Sequence, residues 1–290
     1  MTLLALLLVV AAACLHATWN LASKHASEAG TVFIFFFRLW SVILYLPWVA
    51  YLLYRQDIPW HPQTVLLLGL STVLHLAYTV ILLKGYRVAD LSVVYPVARG
   101  TGPLLASIAA VIWLNDPMQP AQAAGIACIV GGILLIATQG NWRIFAHAQS
   151  MAGIRWGLLI GVLIATYSLV DAYGIKTLLI APVLLDWVSS LGGALLLLPS
   201  VLANPASARE RMRGNWWLAV FVGLVSPLAY ILVLYALKLG AHVSQVAPLR
   251  EMSMVVATLL GAVWLKEQVG VFRWLGCGTI LAGVILISIA

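Results

Sequence analysis

Acidic residues are scarce, nine Asp and Glu in 290 positions, and only 9% of the chain carries charge of either sign. A soluble domain of this size needs a charged surface, which a composition 63% hydrophobic with mean hydropathy +1.03 does not supply. The chain belongs in a lipid bilayer. Cysteine is almost missing too. Cys14, Cys128 and Cys277 fall inside apolar runs, far apart and without ligand spacing, which excludes a disulfide frame or a metal site and reads as three buried thiols. Also lacking are HExxH, a glycine-rich phosphate loop, paired carboxylates on a loop and a nucleophile flanked by a base, so the sequence reads as no enzyme and implies no cofactor. The net charge of +7 is scattered over loop ends, not gathered on one face, which argues against nucleic acid and for membrane orientation. "MTLLALLLVVAAACLHA" lacks a basic first region and its apolar run is long, so it is read as a first helix and not a signal peptide.

Long apolar runs are what the chain does have. A helix needs about 20 mostly apolar residues to cross the hydrocarbon. Ten such segments are read at roughly 3–23, 31–53, 64–84, 90–114, 120–138, 155–175, 178–202, 215–237, 241–265 and 270–289. None alternates with the period of two that a barrel strand needs. The expectation is an all-α membrane protein of ten transmembrane helices. The longest linkers, "QGNWRIFAHAQSMAG" at 139–153 and "NPASARERMRG" at 204–214, are read as tethers.

The chain matches itself. A shift of 152 places lays Lys24 on Lys176, Pro47 on Pro199, Tyr78 on Tyr230 and Pro96 on Pro248. After a one-residue slip, Trp113 falls on Trp264, Gly125 on Gly276 and Gly132 on Gly283. Residues 1–140 and 153–290 therefore read as two five-helix repeats joined by a linker at 141–152. Five is odd, so the second copy enters the membrane from the opposite side. Two inverted five-helix repeats around a central cavity is transporter architecture, although an old duplication that merely made a stable bundle would leave the same trace.

"HATWNLASK" at 16–24, the arginine of "FFFRLW", the proline-bearing "SVVYPVARGTGPLLASIAAVIWL" and "SQVAPLREMSMVVATLLGAVWLKE", and the glycine-rich fifth and tenth helices together resemble the drug/metabolite transporter superfamily, EamA type. The resemblance spans the whole chain. It implies secondary export of a small metabolite across the inner (plasma) membrane, with amino-acid exporters prominent among similar proteins, but sugars, nucleobase-like compounds and toxic organics also fall within the family's range.

Charges at mid-depth mark the candidate site. The 152-place shift lays Arg99 on Glu251, each about ten residues into its span, where a lone charge costs at least ~2.5–3.5 kcal/mol. Both should face inward near the pseudo-two-fold axis, with Glu251 within reach of Arg99 and Arg250 as the competing partner. Glu251 is a candidate proton switch or substrate contact and the arginines candidate carboxylate binders, against a purely structural ion pair. Pro96 and Pro248, three residues earlier, each remove a backbone donor and predict matching kinks, either hinges or static bends.

One face of helix 1 carries His16, Trp19, Asn20 and Lys24; His16 is a candidate proton carrier or a satisfied core histidine, and Lys24 reads as snorkelling. Helix 6 offers Tyr167, Ser168 and Asp171, with Asp171 either lining the cavity or already wet. His75 and Tyr78 on helix 3, Tyr230 as the repeat mate of Tyr78, and Tyr95 beside Pro96 would form an amphipathic wall suited to an organic zwitterion. Arg38 reads as an interfacial anchor, and Asp186 as cavity-lining or anchor. Trp60, Trp113, Trp216, Trp217 and Trp264 read as belt residues, and the glycines of helices 5 and 10 as packing positions.

Together these give a secondary transporter moving an amino acid by alternating access, with a passive facilitator or channel, or another solute class, as the alternatives. Partners are the small-molecule substrate, the lipid bilayer and protons as candidate coupling ion; monomer and homodimer stay open. The basic residues Lys24, Lys84, Arg87, Arg143, Arg155, Arg209, Arg211, Arg213, Lys266 and Arg273 cluster on one side, favouring external termini, whereas the resemblance implies cytoplasmic ones.

Overall fold

The computed structural model describes residues 1–55, 60–89, 91–145, 150–264, 266 and 268–289, and among them the regular structure is helical. The helices are α1 (Leu3–His25), α2 (Thr31–Arg55), α3 (Pro62–Val88), α4 (Leu91–Trp113), α5 (Pro120–Thr138), α6 (Ser150–Lys176), α7 (Pro182–Leu202), α8 (Pro205–Arg211), α9 (Trp216–Lys238), α10 (Val243–Leu249), α11 (Ser253–Trp264) and α12 (Val271–Ile289). Prolines open α3, α5, α7 and α8, where the missing N–H is one the helix could not have used. At the start of α5, Gln122 accepts from the backbone of Gln119 at 3.0 Å, closing a capping box.

Nine of the described segments are long and apolar enough to cross a membrane, one short of the ten read from sequence. The one that falls short is α4, long enough at 23 residues but loaded with Arg99, Pro96, Pro103, Gly100 and Gly102. The ninth span also differs. Instead of one helix over 241–265, α10 gives way to a 3₁₀ turn at Arg250–Met252 before α11 begins. Its repeat mate α4 runs unbroken through Pro96, so the matching kinks expected from the two prolines are not matched. The linker at 204–214 is more than a tether, since it holds α8, capped by Asn204 accepting from Ser207 N at 3.0 Å.

Packing obeys the repeat. The pairs α4–α6 and α1–α11, α3–α6 and α1–α9, and α2–α9 and α3–α7 each exchange when the halves are swapped, while α5–α12, α2–α7 and α4–α10 map onto themselves. The self-mapped pairs show the sense of threading. Gly125 packs on Gly283 and Gly132 on Gly276, so α5 and α12 run antiparallel and the second half is inverted. On these helices the absent side chains let two backbones touch, which in lipid replaces the missing hydrophobic drive. A Cβ on Gly132 would lie 2.7 Å from the carbonyl oxygen of Gly276 and equally close to Ile280. Gly132→Val should therefore destabilise the bundle by ~1–3 kcal/mol or more, read as a lower thermal midpoint in detergent. Gly131→Val is the control, because a methyl there meets nothing within 4 Å and should leave the midpoint unchanged.

Glycines serve α6 as well: Gly157 sits against Val97, and Gly161 against Thr101, bringing α4 and α6 into close contact. On α1 the exposed stripe Leu3, Leu4, Leu7, Cys14 turns to lipid, so Cys14 is not buried as expected; Cys128 is half-buried and only Cys277 is buried. Arg38 is not an interfacial anchor either. It is 7% exposed, donates from Nη1 to the carbonyl of Ser189 at 3.0 Å, and occupies room left by Gly193 on α7. Trp60, Trp113, Trp216 and Trp217 are exposed at helix ends. The side chains of Lys24 and Trp264 lie outside the described residues.

Candidate functional site

The inverted packing brings α4 and the turn after α10 together at the middle of the bundle. Arg99 Nη1 donates to Glu251 Oε1 and Oε2 at 3.3 and 3.4 Å, and its Nη2 meets His16 Nε2 at 2.9 Å. Arginine has only donors, so His16 must accept, which makes it the neutral tautomer protonated on Nδ1. Protonating Nε2 would forfeit that bond, a poor arrangement for a proton carrier. Tyr95 offers its ring to the same guanidinium, 5.6 Å from Cζ to centroid. Trp19 stands edge-on to His16 at 5.0 Å, and Asn20 spends its amide on the His16 carbonyl at 2.8 Å.

Arg250 is different. It is 7% exposed, its side chain donates no hydrogen bond to any described residue, and its Nε is buried without a partner. It faces a void of ≈ 20 Å³ that Ser168, Tyr230, Leu234, Val246 and Ala247 help to line. That is room for water, not for a metabolite. The charge balance follows. Arg99 and Glu251 cancel, His16 is neutral, and Arg250, which makes no ion pair within 4 Å among the described residues, keeps its guanidinium free for an incoming anion. The Pro248 segment supplies the geometry: a 3₁₀ turn carries about three residues per turn, and here it places Glu251 on Arg99 while Arg250 points to the void.

A second polar group lies on α3, α6 and α9. Asp171 on α6 is fully buried. Its Oδ1 accepts from Ser71 Oγ at 2.6 Å, and its Oδ2 accepts from His75 Nε2 at 2.8 Å and from the Tyr230 hydroxyl. His75 packs on Tyr167 at 4.3 Å between centroids, and Tyr78 on Tyr167 at 5.5 Å. The tyrosines thus converge as the repeat suggests, but Tyr230 is committed to a carboxylate and Tyr78 to aromatic packing. Asp171 is a hub and not a wall residue, since Ser71, His75 and Tyr230 together enclose it. Half-buried Asp186 on α7 adds a second carboxylate whose field reaches His75, Arg38 and Asp171.

Sequence reasoning missed a third group. Asp116, 6% exposed, accepts from His242 Nδ1 at 3.0 Å and from Ser244 N at 3.1 Å, with Lys176 Nζ at 3.9 Å. These residues tie the end of α4 to the start of α10 and the end of α6, on the face that carries both termini. Polar residues at span ends are ordinary, so nothing in the sequence separates this latch from loop polarity. Buried Val243, Val246, Leu234 and Leu237 line the void that Arg250 faces and form its apolar wall. His16, Asn20, Tyr78 and Tyr95 stay half-buried toward the opposite face. In a chain with Cys14, Cys128 and Cys277 replaced by alanine and Val246→Cys introduced, Asp116→Ala should speed labelling by an impermeant maleimide several-fold, since it removes the cap and the ion pairs together. Unchanged labelling would leave the latch without a sealing role.

A family model of EamA-like transporters matches residues 3–138 and again 151–289. An "uncharacterized transporter in cobO 3'region" of Sinorhizobium sp is 32% identical over 75 residues, a match that spans 26% of this chain and about half, 52%, of the relative. "Uncharacterized transporter YwfM" of Bacillus subtilis (strain 168) is 24% identical along 98% of this chain and 93% of its own length. "Multidrug resistance protein EbrA" of Bacillus licheniformis is 27% identical over 77 residues, 27% of this chain and 69% of that protein. A solved crystal structure superposes with a TM-score of 0.76 at 18% identity, covering 98% of this chain and 96% of the other, so the fold has been seen before.

Proposed function

The chain belongs to the EamA-like transporter family, and from that premise we propose that it exports an amino acid across the inner (plasma) membrane by alternating access. The observation that carries this is Arg250, a buried guanidinium without a hydrogen-bond partner among the described residues, at a void in the middle of the bundle. A permanently charged planar fork recognises a carboxylate bidentately. Tyr230 and Tyr167 beside it suit the apolar part of a zwitterion. Pairing with the substrate gives this guanidinium the close partner that it lacks among the described residues.

The small, mostly apolar void fits a carrier. With the latch on the terminal face and polar side chains half-buried toward the other, the void is lined mostly by apolar Val243, Val246, Leu234 and Leu237. A carrier of this kind opens its centre to one face at a time as two packed halves rock against each other. A channel needs a continuous polar lining instead.

The test is counterflow in proteoliposomes loaded with one unlabelled solute at a time. Trans-stimulated uptake of a labelled α-amino acid, lost when its carboxylate is amidated, supports the reading. Flux without trans-stimulation would make the protein a channel. A second reading, export of toxic organic compounds, draws on the match to a protein named for multidrug resistance. It requires that cationic organics exchange while every carboxylate-bearing solute does not, an outcome that the positive charge of Arg250 disfavours.

A further inference from the structure

The two buried polar clusters are out of balance in opposite directions, and this assigns them different ligands. Around Arg99, Glu251 and Arg250, two arginines face one carboxylate. Around Asp171, a fully buried carboxylate is held by Ser71 at 2.6 Å, by His75 at 2.8 Å and by the Tyr230 hydroxyl. We infer that Asp171 and His75 form a proton-binding site, separate from Glu251, that lies between the two halves of the bundle.

With His75 neutral and protonated on Nε2, its bond to Asp171 is made but the pair carries one net negative charge. One added proton on Nδ1 leaves that bond in place and converts the pair to a neutral ion couple, the form that a low-dielectric interior favours. The His75 side chain is 16% exposed while Asp171 is sealed, so the imidazole is the port and the carboxylate the anchor. The other ionisable groups that face the pair are Tyr230 on α9, Tyr167 on α6, Asp186 on α7 with Arg38 of α2 behind it, and Arg250 after α10. Asp186 makes no ion pair within 4 Å among the described residues. On α4, also packed along α6, Arg99 is already matched by Glu251.

Glu251 is the poorer site on the same physics. Arg99 cannot release its proton, so the pair is neutral as it stands. Protonating Glu251 would weaken two hydrogen bonds and leave two arginines without a counter-charge. Histidine paired with a buried carboxylate is also the group whose ordinary range brackets neutrality.

Position supplies the coupling. Ser71 and His75 belong to α3 of the first half, Asp171 and Tyr230 to α6 and α9 of the second, so the proton sits on a tie between halves. Tyr230 also lines the void against Arg250 and has a single hydroxyl proton to give. The proton's role in driving transport rests on the amino-acid carrier reading; its binding does not.

Binding is read first, without substrate, by potentiometric difference titration of the full chain purified in detergent, from about pH 8 to about pH 5.5. Wild-type protein should take up about one proton more than Asp171→Asn, and His75→Gln, which keeps an amide donor to Asp171, should lose the same proton. Glu251→Gln should titrate as the wild type. If Asp171→Asn does not fold, His75→Gln carries the measurement alone. Wild-type proton uptake in the folded variants, or loss of the proton in Glu251→Gln, would overturn the assignment. In proteoliposomes an imposed pH gradient should accelerate amino-acid flux several-fold in wild type and not in His75→Gln. A chain that shows the proton but exchanges no amino acid would sink the carrier reading and leave the proton site standing.

Discussion

Arg250→Leu yields a protein that melts at the same temperature or higher than wild type yet needs roughly a hundredfold more carboxylate-bearing substrate to half-saturate. The two effects have one cause. A buried cation without a hydrogen-bond partner costs folding energy, so a shorter apolar side chain relieves the bundle of that cost. The same guanidinium, once bridged to a carboxylate, contributes a charge-assisted bond of ~3 kcal/mol, about a hundredfold in apparent affinity. Counterflow with a substrate and with its decarboxylated amine separates the terms, because the amine has nothing to lose. Arg250→Lys should recover part of the affinity, since an ammonium keeps the charge but not the planar fork. A variant that melts lower and binds both solutes less well would return Arg250 to a structural role.

The second large effect is on stability. Arg99→Leu strips Glu251 of its buried counter-ion and His16 of its donor in one step, leaving a carboxylate 1% exposed with no cation bound to it. Breaking one side of a buried pair costs ~3–5 kcal/mol, enough to abolish folding of many membrane bundles at physiological temperature. Replacing both partners with apolar residues, Arg99→Leu with Glu251→Leu, should recover most of that loss, as the desolvation term vanishes with the pair. Thermal unfolding of the two single variants and the double one in the same detergent forms a closed cycle. Recovery identifies the pair as a mutual necessity, whereas additive losses would show that each charge holds something else.

How much of this could be read from the letters alone depends on what each residue's neighbours are. The offset of 152 tied Arg99 to Glu251 because prolines and lysines are rare enough in lipid to set a register, and the observed 3.3 Å contact follows from that register. Gly125 and Gly132 were legible for the same reason, and their cross-pairing with Gly283 and Gly276 is what an inverted copy requires. Arg38 was not. Eight residues into its span, it has the depth of an anchor, and only Gly193 on α7, far away in sequence, shows that the bundle makes room for it. Asp171 was legible as an inward carboxylate but not as the hub of α3, α6 and α9, because Ser71 and His75 share a face of α3 at i, i+4 but no spacing rule links that face to Asp171 or to Tyr230. The 3₁₀ turn at Arg250–Met252 was hidden for a subtler reason. Pro248 and Pro96 offer the same local disposition, and the two helices resolve it differently.

That difference has a temporal meaning. In the proposed alternating-access cycle, two copies of one sequence pattern, one continuous and the other broken, would occupy two different moments. If the halves trade shapes, the fracture migrates through the register to Ala98–Gly100, where Gly100 and Gly102 offer little resistance to bending, and Arg250, Glu251 and Met252 wind into a continuous rod. The protein's other face would then be unsealed by the straightening of one helix and the yielding of its twin.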